Sequence, residues 1–293
     1  MLGEGGVSCL PCGEAYALER GVLRLAGGRQ GAPGFDPHYF GTLDEVETRH
    51  FWFTARRQVI LDALRRAIPD LHGRALFDIG CGSGGLLAFL VENGVPLAGA
   101  CDAYLESLEL VRRKVDAPLL LVDEGRLPPL GPGHTLLGLF DVLEHIDDDV
   151  ETLRFLGSVL DPGGALVMTV PAHPFLFDEM DRLAHHRRRY RLVELRDKLE
   201  GAGFEIRALF HFMAPLVPLL MLGRTLGRAL PRTRAKAAER RAVELSVIPV
   251  FNEAMRAILM VERRALARGW GLPFGTSLLA VAVRPGFLPG SRG

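Results

Sequence analysis

The residues most able to do chemistry begin at 75–86, ALFDIGCGSGGL, where an apolar strand runs through Asp78 into a loop holding Gly80, Gly82, Gly84 and Gly85. Residues without a Cβ let backbone approach a ligand closely, and the helix that follows offers unpaired N–H groups to it. Gly80, Gly82 and Gly85 also satisfy the dinucleotide pattern G-x-G-x-x-G, so the loop alone leaves the cofactor open. Asp78 discriminates. A carboxylate there repels a pyrophosphate seated on the helix N-terminus, whereas it suits a ligand carrying an ammonium and a sulfonium, such as S-adenosylmethionine.

Two further acids stand at strand ends. Asp102 lies 22 residues after Gly80, where a carboxylate accepts both ribose hydroxyls of an adenosine in either cofactor class. Asp123, in LLLVDEGRLP, falls where it would meet an adenine amine. Beyond the fourth and fifth strands lie His145, His173, Asp181, His185 and His186, with His145 and His185 the first choices for a general base. Asp141, Glu144 and His145 are spaced i, i+3 and i+4, so a helical turn would place them on one face. That face suits a divalent metal or a hydrogen-bonded loop under the cofactor, and no metal is counted in the expected site. Arg182, Arg187, Arg188, Arg189 and Arg191 fall in a stretch of ten residues without an acid. Such a density fits a phosphate- or carboxylate-bearing acceptor, or a solvated helix start. Only Tyr190 is interleaved among these arginines, so nucleic acid is not expected as a partner.

The elements that must position these groups alternate. Strands are expected at 75–79, 96–101, 118–122, 135–142, 164–170 and 204–212, with helices at 84–93, 104–114, 149–160 and 192–201. Short connections between such elements imply a mainly parallel sheet covered on both faces, with ligands at the carboxyl ends of the strands. Leu43 to Ile68 reads as a helix leading into this domain, its aromatic cluster His50-Phe51-Trp52-Phe53 mainly packing. A last strand at Ser277 to Val283 follows about 60 residues after 212, too far for an ordinary connection, so a helical lid or insertion is expected over 213–274. Within it Phe210 to Leu222 is apolar, and Met213 to Arg241 holds seven basic residues against one acid. Apolar surface beside basic residues fits either a lid or peripheral membrane contact through 210–241.

Composition sets the outer bounds. The 293 residues are 48% hydrophobic, enough for a full core, and 35 basic residues cancel 35 acidic ones. No apolar run reaches the ~18 residues of a spanning helix, and a cytoplasmic location, with optional membrane contact, is expected. Cys9 and Cys12 have the spacing of a zinc knuckle without a second cysteine pair, so 1–26 reads as a degenerate ribbon-like hairpin. Residues 27–42, rich in Gly and Pro, read as a linker, and 43–293 as the main domain.

The ordered set FDIGCGSGG (77–85), CDA (101–103), VDEGRLP (122–128), FDVLEHIDDD (140–149) and LDPGGALVMTVPA (160–172) resembles class I S-adenosylmethionine-dependent methyltransferases. HFWFTARR (50–57), DRLAHHRRRY (181–190) and LPFGTSLLAV (272–281) are similar to a bacterial subgroup whose acceptors are undefined. The resemblance implies an α/β, Rossmann-like, doubly wound sheet of seven strands, mostly parallel with an antiparallel last strand. It implies that Asp78, Gly80, Gly82 and Gly84 hold the amino-acid moiety of the donor, Asp102 the ribose and Asp123 the adenine region. Cys81, Ala103, Glu124, Phe140 and Asp141 complete the expected cofactor-binding set. The D-x-x-E-H spacing is similar to an E-x-x-E-H metal site of some O-methyltransferases and small-RNA methyltransferases, with Asp141 in place of the first Glu. The expected reaction is in-line transfer of a methyl group to an oxygen of a small or lipid-linked anionic acceptor. The alternatives are a binding protein on the same fold, at a membrane or not, and a nicotinamide oxidoreductase.

Overall fold

Apolar runs bounded by Gly, Pro and Asp make the central strands, and their order brings the acids together. The computed structural model describes residues 7–8, 15–25, 38–123, 125–227 and 247–286. Cys9, Cys12, most of the proposed linker, Glu124 and 228–246 lie outside them. The strands are β1 (Val7–Ser8), β2 (Ala15–Glu19), β3 (Val22–Arg24), β4 (Leu76–Ile79), β5 (Leu97–Asp102), β6 (Leu119–Leu121), β7 (His134–Phe140), β8 (Leu160–Pro171), β9 (Glu205–Phe212) and β10 (Ser277–Val283). They form one sheet in the order β1-β2-β3-β6-β5-β4-β7-β8-β10-β9.

The stretch β3 to β8 is parallel, and β10 runs antiparallel to both β8 and β9. The antiparallel last strand and its bounds match the expectation; the count of seven is corrected. Nine strands make the continuous sheet and the two-residue β1 adds a tenth at its far edge, because β3 pairs with β6 through Leu23↔Leu120 and Arg24↔Leu121. The N-terminal strands thus occupy backbone groups of an edge that would otherwise be unpaired.

Helices cover both faces. On one side lie α2 (Phe51–Ala67), α3 (Gly85–Glu92), α4 (Leu105–Lys114) and, from the insertion, α9 (Pro249–Ala267); their Ile60, Leu64, Leu87, Leu90, Leu108 and Leu259 are buried in one core. On the other, α5 (Asp149–Val159) and α7 (Leu192–Gly201) bury Leu153, Leu156, Leu195 and Leu199. The remaining helices are α1 (His38–Glu47), α6 (Glu179–Leu183) and α8 (Leu216–Gly227). Among the described residues no helix is long and apolar enough to cross a membrane.

The single helix expected over 43–68 is two helices. Extended His50 separates α1 from α2 and caps the latter, its Nδ1 accepting from the Trp52 N–H. A tertiary clamp holds this break: buried Asn252 of α9 accepts from the Phe51 N–H at 2.8 Å and donates to the Arg49 carbonyl at 3.0 Å. Further along, Arg263 grips Asp62 with two hydrogen bonds and Arg66 donates to the α9 carbonyls of Leu266 and Ala267. The insertion therefore returns to the body as a helix lying parallel to α2, and the start of both helices is fixed at the carboxyl end of the sheet. Asn252→Ala removes the partner of the part-buried Phe51 N–H and of the Arg49 carbonyl, so stability is expected to fall by about 1 kcal/mol, read as a lower urea midpoint at unchanged slope.

Candidate active site

At the end of β4 the chain turns through Gly80 and Gly84, with φ of +76° and +78°. A Cβ on Gly80 would stand 2.5 Å from Val142 Cγ2, and one on Gly84 2.8 Å from Val111 Cγ2, so conformation and space both select glycine. Asp102 ties this loop to the end of β5: its carboxylate accepts from the Gly82 N–H at 2.8 Å and the Tyr104 N–H at 3.1 Å. Ser107 donates to the Gly82 carbonyl from α4. Helix α1 folds over the same place, with Phe40 against Tyr104 and Asp44 paired to Lys114, which also donates to the Ser83 carbonyl.

Three of the expected acids meet in this cleft. Asp78 is 2% exposed, its Oδ1 has no hydrogen-bond partner, and burial raises its pKa to about 7 against the opposing pull of Arg56. Burial likewise lifts Asp102 to about 6, opposed by the N–H groups it accepts from. Asp141 follows β7 with φ of +58°, so it does not start a helical turn. Its carboxylate accepts from Arg56 Nη2 at 2.6 Å and from the Thr169 hydroxyl at 3.1 Å. The shared helical face expected for Asp141, Glu144 and His145 is thereby corrected: only Leu143–His145 forms a 3-10 turn, and Asp141 points toward Arg56. Cys81 is buried with its thiol pKa raised by burial, Phe140 is buried at the end of β7, and Ala103 and Asp123 are part-buried at the ends of β5 and β6.

Arg56 is the site residue that motif reading missed as such. It sits 8% exposed on α2, donates to Asp141 and Thr169, and lies over Trp52 at 5.2 Å and Phe140 at 5.9 Å. The segment HFWFTARR carries the signal, and its Phe51 and Trp52 pack against the core as expected while Trp52 also lies against the Arg56 guanidinium. Phe51, Trp52 and Phe53 are only part-buried, and Phe51 meets Phe251 edge-on at 5.8 Å.

The histidines divide into two groups. His145 is part-buried with its ring 4.9 Å from that of His186, and burial and His186 lower its pKa to about 4. His185, the other first choice for a general base, is exposed with φ of +59°, and the ring that meets His145 is that of its neighbour His186. His173 and His211 form a second pair, stacked at 4.9 Å with 9° between planes. Burial and His173 lower His211 to about 4, and burial and Arg189 lower His173. The arginine run is largely neutralised. Arg189 donates to both oxygens of buried Asp181, and Arg188 joins Lys198 and the Tyr190 hydroxyl on buried Asp149. Arg182 and Arg187 make surface pairs with Glu179 and Asp147, and Arg182 also lies over the Phe177 ring.

A methyltransferase-domain family profile matches residues 52–209. The chain belongs to that family. It is an S-adenosylmethionine-dependent methyltransferase domain of class I fold, and the nicotinamide alternative falls with that assignment. A tRNA U34 carboxymethyltransferase of Idiomarina loihiensis is 32% identical over 139 residues, covering 44% of this chain and 40% of the relative. The chain thus spans well under half the length of that curated relative, whose name also removes support from the expectation against nucleic acid. The Haloferax volcanii complex between the Trm112 methyltransferase activator and a methyltransferase shares the fold at TM-score 0.53 and 20% identity, over 87% of this chain and 96% of that one. Haemonchus contortus phosphoethanolamine N-methyltransferase 2 with S-adenosyl-L-methionine does so at 0.55 and 15%, over 86% and 58%.

Asp78, its pKa raised by burial to about 7, is about half protonated at neutral pH. Binding of a cationic donor favours its charged form, so titration calorimetry at pH 6.5 in buffers of different ionisation enthalpy is expected to report proton release. Donor affinity is expected to rise between pH 6 and 8, and Asp78→Asn to reduce both effects to the smaller part that Asp102 contributes at the acid end.

Proposed function

We propose that this domain transfers the methyl group of S-adenosylmethionine to a hydroxyl oxygen of a lipid-linked acceptor with an anionic headgroup. The observation that carries the acceptor class is the rim of the cleft. Phe175 follows β8, Val250 and Phe251 open α9, and Phe274 precedes β10, with 64%, 85%, 44% and 43% of their surfaces exposed. Phe175 and Phe274 flank the carboxyl end of β8, where β10 begins and β9 ends, and Phe251 meets Phe51 at the start of α2. Apolar side chains gathered at the mouth of a polar cleft favour a ligand with an apolar part. Arg182 and Arg187 supply exchangeable cations for the headgroup, whereas Arg188 and Arg189 are committed to Asp149 and Asp181.

The cofactor would be held by Asp78, Gly80, Cys81, Gly82, Gly84, Asp102, Ala103, Asp123, Phe140 and Asp141, with Glu124 outside the described residues. Methyl transfer is an in-line displacement at carbon, so the protein's tasks are alignment and removal of the hydroxyl proton. His173 is our choice for the second task in preference to His145 and His185. It stands just past β8 with φ of +61°, and its Nε2 is buried without a hydrogen-bond partner, so an acceptor hydroxyl would supply the missing one. Its lowered pKa keeps it neutral, and hence able to accept a proton, at pH 7.

Incubation with methyl-labelled donor and, separately, a total lipid extract, bulk tRNA and an aqueous metabolite pool tests the acceptor. Label is expected in the lipid phase; label confined to tRNA or to water-soluble metabolites overturns the reading. With the labelled acceptor, His173→Asn is expected to lower kcat by about 10²-fold or more while leaving S-adenosylhomocysteine affinity unchanged. The wild type is expected to lose activity as pH falls below the ordinary histidine range.

A further inference from the structure

The ion pairs around the turn after β7 leave one charge over. Arg56 is bound to Asp141 and Arg189 to Asp181, so each of these pairs is internally neutral. Glu144 lies between them, 0% exposed, and neither of its carboxylate oxygens has a hydrogen-bond partner. A buried carboxyl without donors is costly as an anion. Protonation alone does not settle it, since the acid proton would then want an acceptor and the second oxygen a donor.

Two imidazoles face this carboxyl. The His186 Nε2 is 3.9 Å from Glu144 Oε1, and one ligating atom each of Glu144, His145 and His186 lie within 4.8 Å of one another. The other nitrogen of His186, Nδ1, is 2.8 Å from Asp181 Oδ1. A carboxylate on the far nitrogen fixes the tautomer so that Nε2 presents its lone pair toward Glu144, as in metal sites whose histidine ligands are oriented from behind. Asp181 is itself locked by Arg189 and by the Asp178 N–H, so the orientation is built into α6.

We propose that Glu144, His145 and His186 form a binding site for one divalent transition-metal ion of the zinc type. Two imidazole nitrogens and a carboxylate match the ligand preference of such ions, and three protein ligands leave a coordination position open. Metal–ligand bonds near 2.0–2.1 Å place neighbouring ligand atoms roughly 3.3 Å apart, so closure requires movements on the order of 1 Å. Asp141 belongs to Arg56 and is outside the set, which is not the D-x-x-E-H trio that spacing alone suggests. The ion gives the ligating Glu144 oxygen a partner and more than offsets the leftover negative charge. The site stands at the carboxyl end of β7, beside the acceptor side of the cleft.

The test uses the full chain with any affinity tag removed, stripped with chelator and titrated with Co²⁺ and Zn²⁺. The expected result is one equivalent bound, with Co²⁺ d–d bands and no thiolate charge-transfer band. Glu144→Gln and His186→Asn are each expected to weaken Zn²⁺ binding at least 100-fold, and Asp181→Asn 10–100-fold, while Asp141→Asn keeps it. No binding by the wild type overturns the proposal. So does binding that survives Glu144→Gln and His186→Asn, or that disappears in Cys9→Ser/Cys12→Ser. Where a variant does not fold, the wild-type Co²⁺ spectrum decides, because sulfur ligation would assign the ion to the cysteine pair.

Discussion

The buried Arg56 guanidinium is the interaction on which the carboxyl end of this sheet depends. It comes from α2, on the helical layer, and reaches across to Asp141 after β7 and the Thr169 hydroxyl on β8. Trp52 and Phe140 lie against its faces, which adds cation–π attraction and keeps water away. Its charge also draws down the carboxyl pKa values of Asp78 and Glu144, both of which burial pushes up. Removing one member of a buried pair costs roughly 3–5 kcal/mol, and Asp141 is exposed enough to put this pair toward the lower end. The larger consequence is local. Without that cation, burial would push the Asp78 carboxyl in β4 and the Glu144 carboxyl after β7 further toward their protonated forms.

This dependence explains why α2 and α9 must be coupled. Arg56 reaches the strand ends only if the start of α2 is fixed, and the Asn252 side chain fixes it by bridging Arg49 and Phe51 across the helix break. The Arg263–Asp62 pair then sets the rotation of the two helices further along. A segment some 200 residues away in sequence therefore positions a charge in the cleft. The insertion before β10 acts as a brace before it acts as anything else.

What the sequence made legible follows from what is local. Asp78, Asp102 and the glycine loop sit within one βαβ unit, where a strand's apolar run and the glycines that end it fix where each acid must stand. Strand β10 was readable to the residue because a buried strand is a continuous apolar run, SLLAVAV. Partnerships between distant segments were not readable. Nothing in the spacing couples Arg56 to Asp141, 85 residues on, or Arg188 and Lys198 to Asp149. The arginine run therefore looked like a free cationic surface although two of its members are bound to buried acids. His186 rather than His185 faces Glu144 because Ala184 ends α6 and His185 takes a left-handed turn, a reversal that no helical or extended periodicity anticipates.

Left-handed residues other than glycine mark the same end of the sheet three times. Asp141 directly follows β7, His173 comes two residues after β8, and Met213 directly follows β9, with φ of 58°, 61° and 61°. Each costs about 1–2 kcal/mol, so together they consume a sizeable share of a typical folding stability of 5–15 kcal/mol. Hydrogen bonds hold them there: Asp141 N–H to the Thr169 carbonyl, His173 N–H to the Tyr190 carbonyl, and the Leu216 N–H to the Met213 carbonyl. Glycine would relieve the strain at every one of these positions. It would also remove the carboxylate that Arg56 binds and the imidazole stacked on His211. At Asp141 and His173 the strain is retained where the side chain makes a contact that glycine cannot.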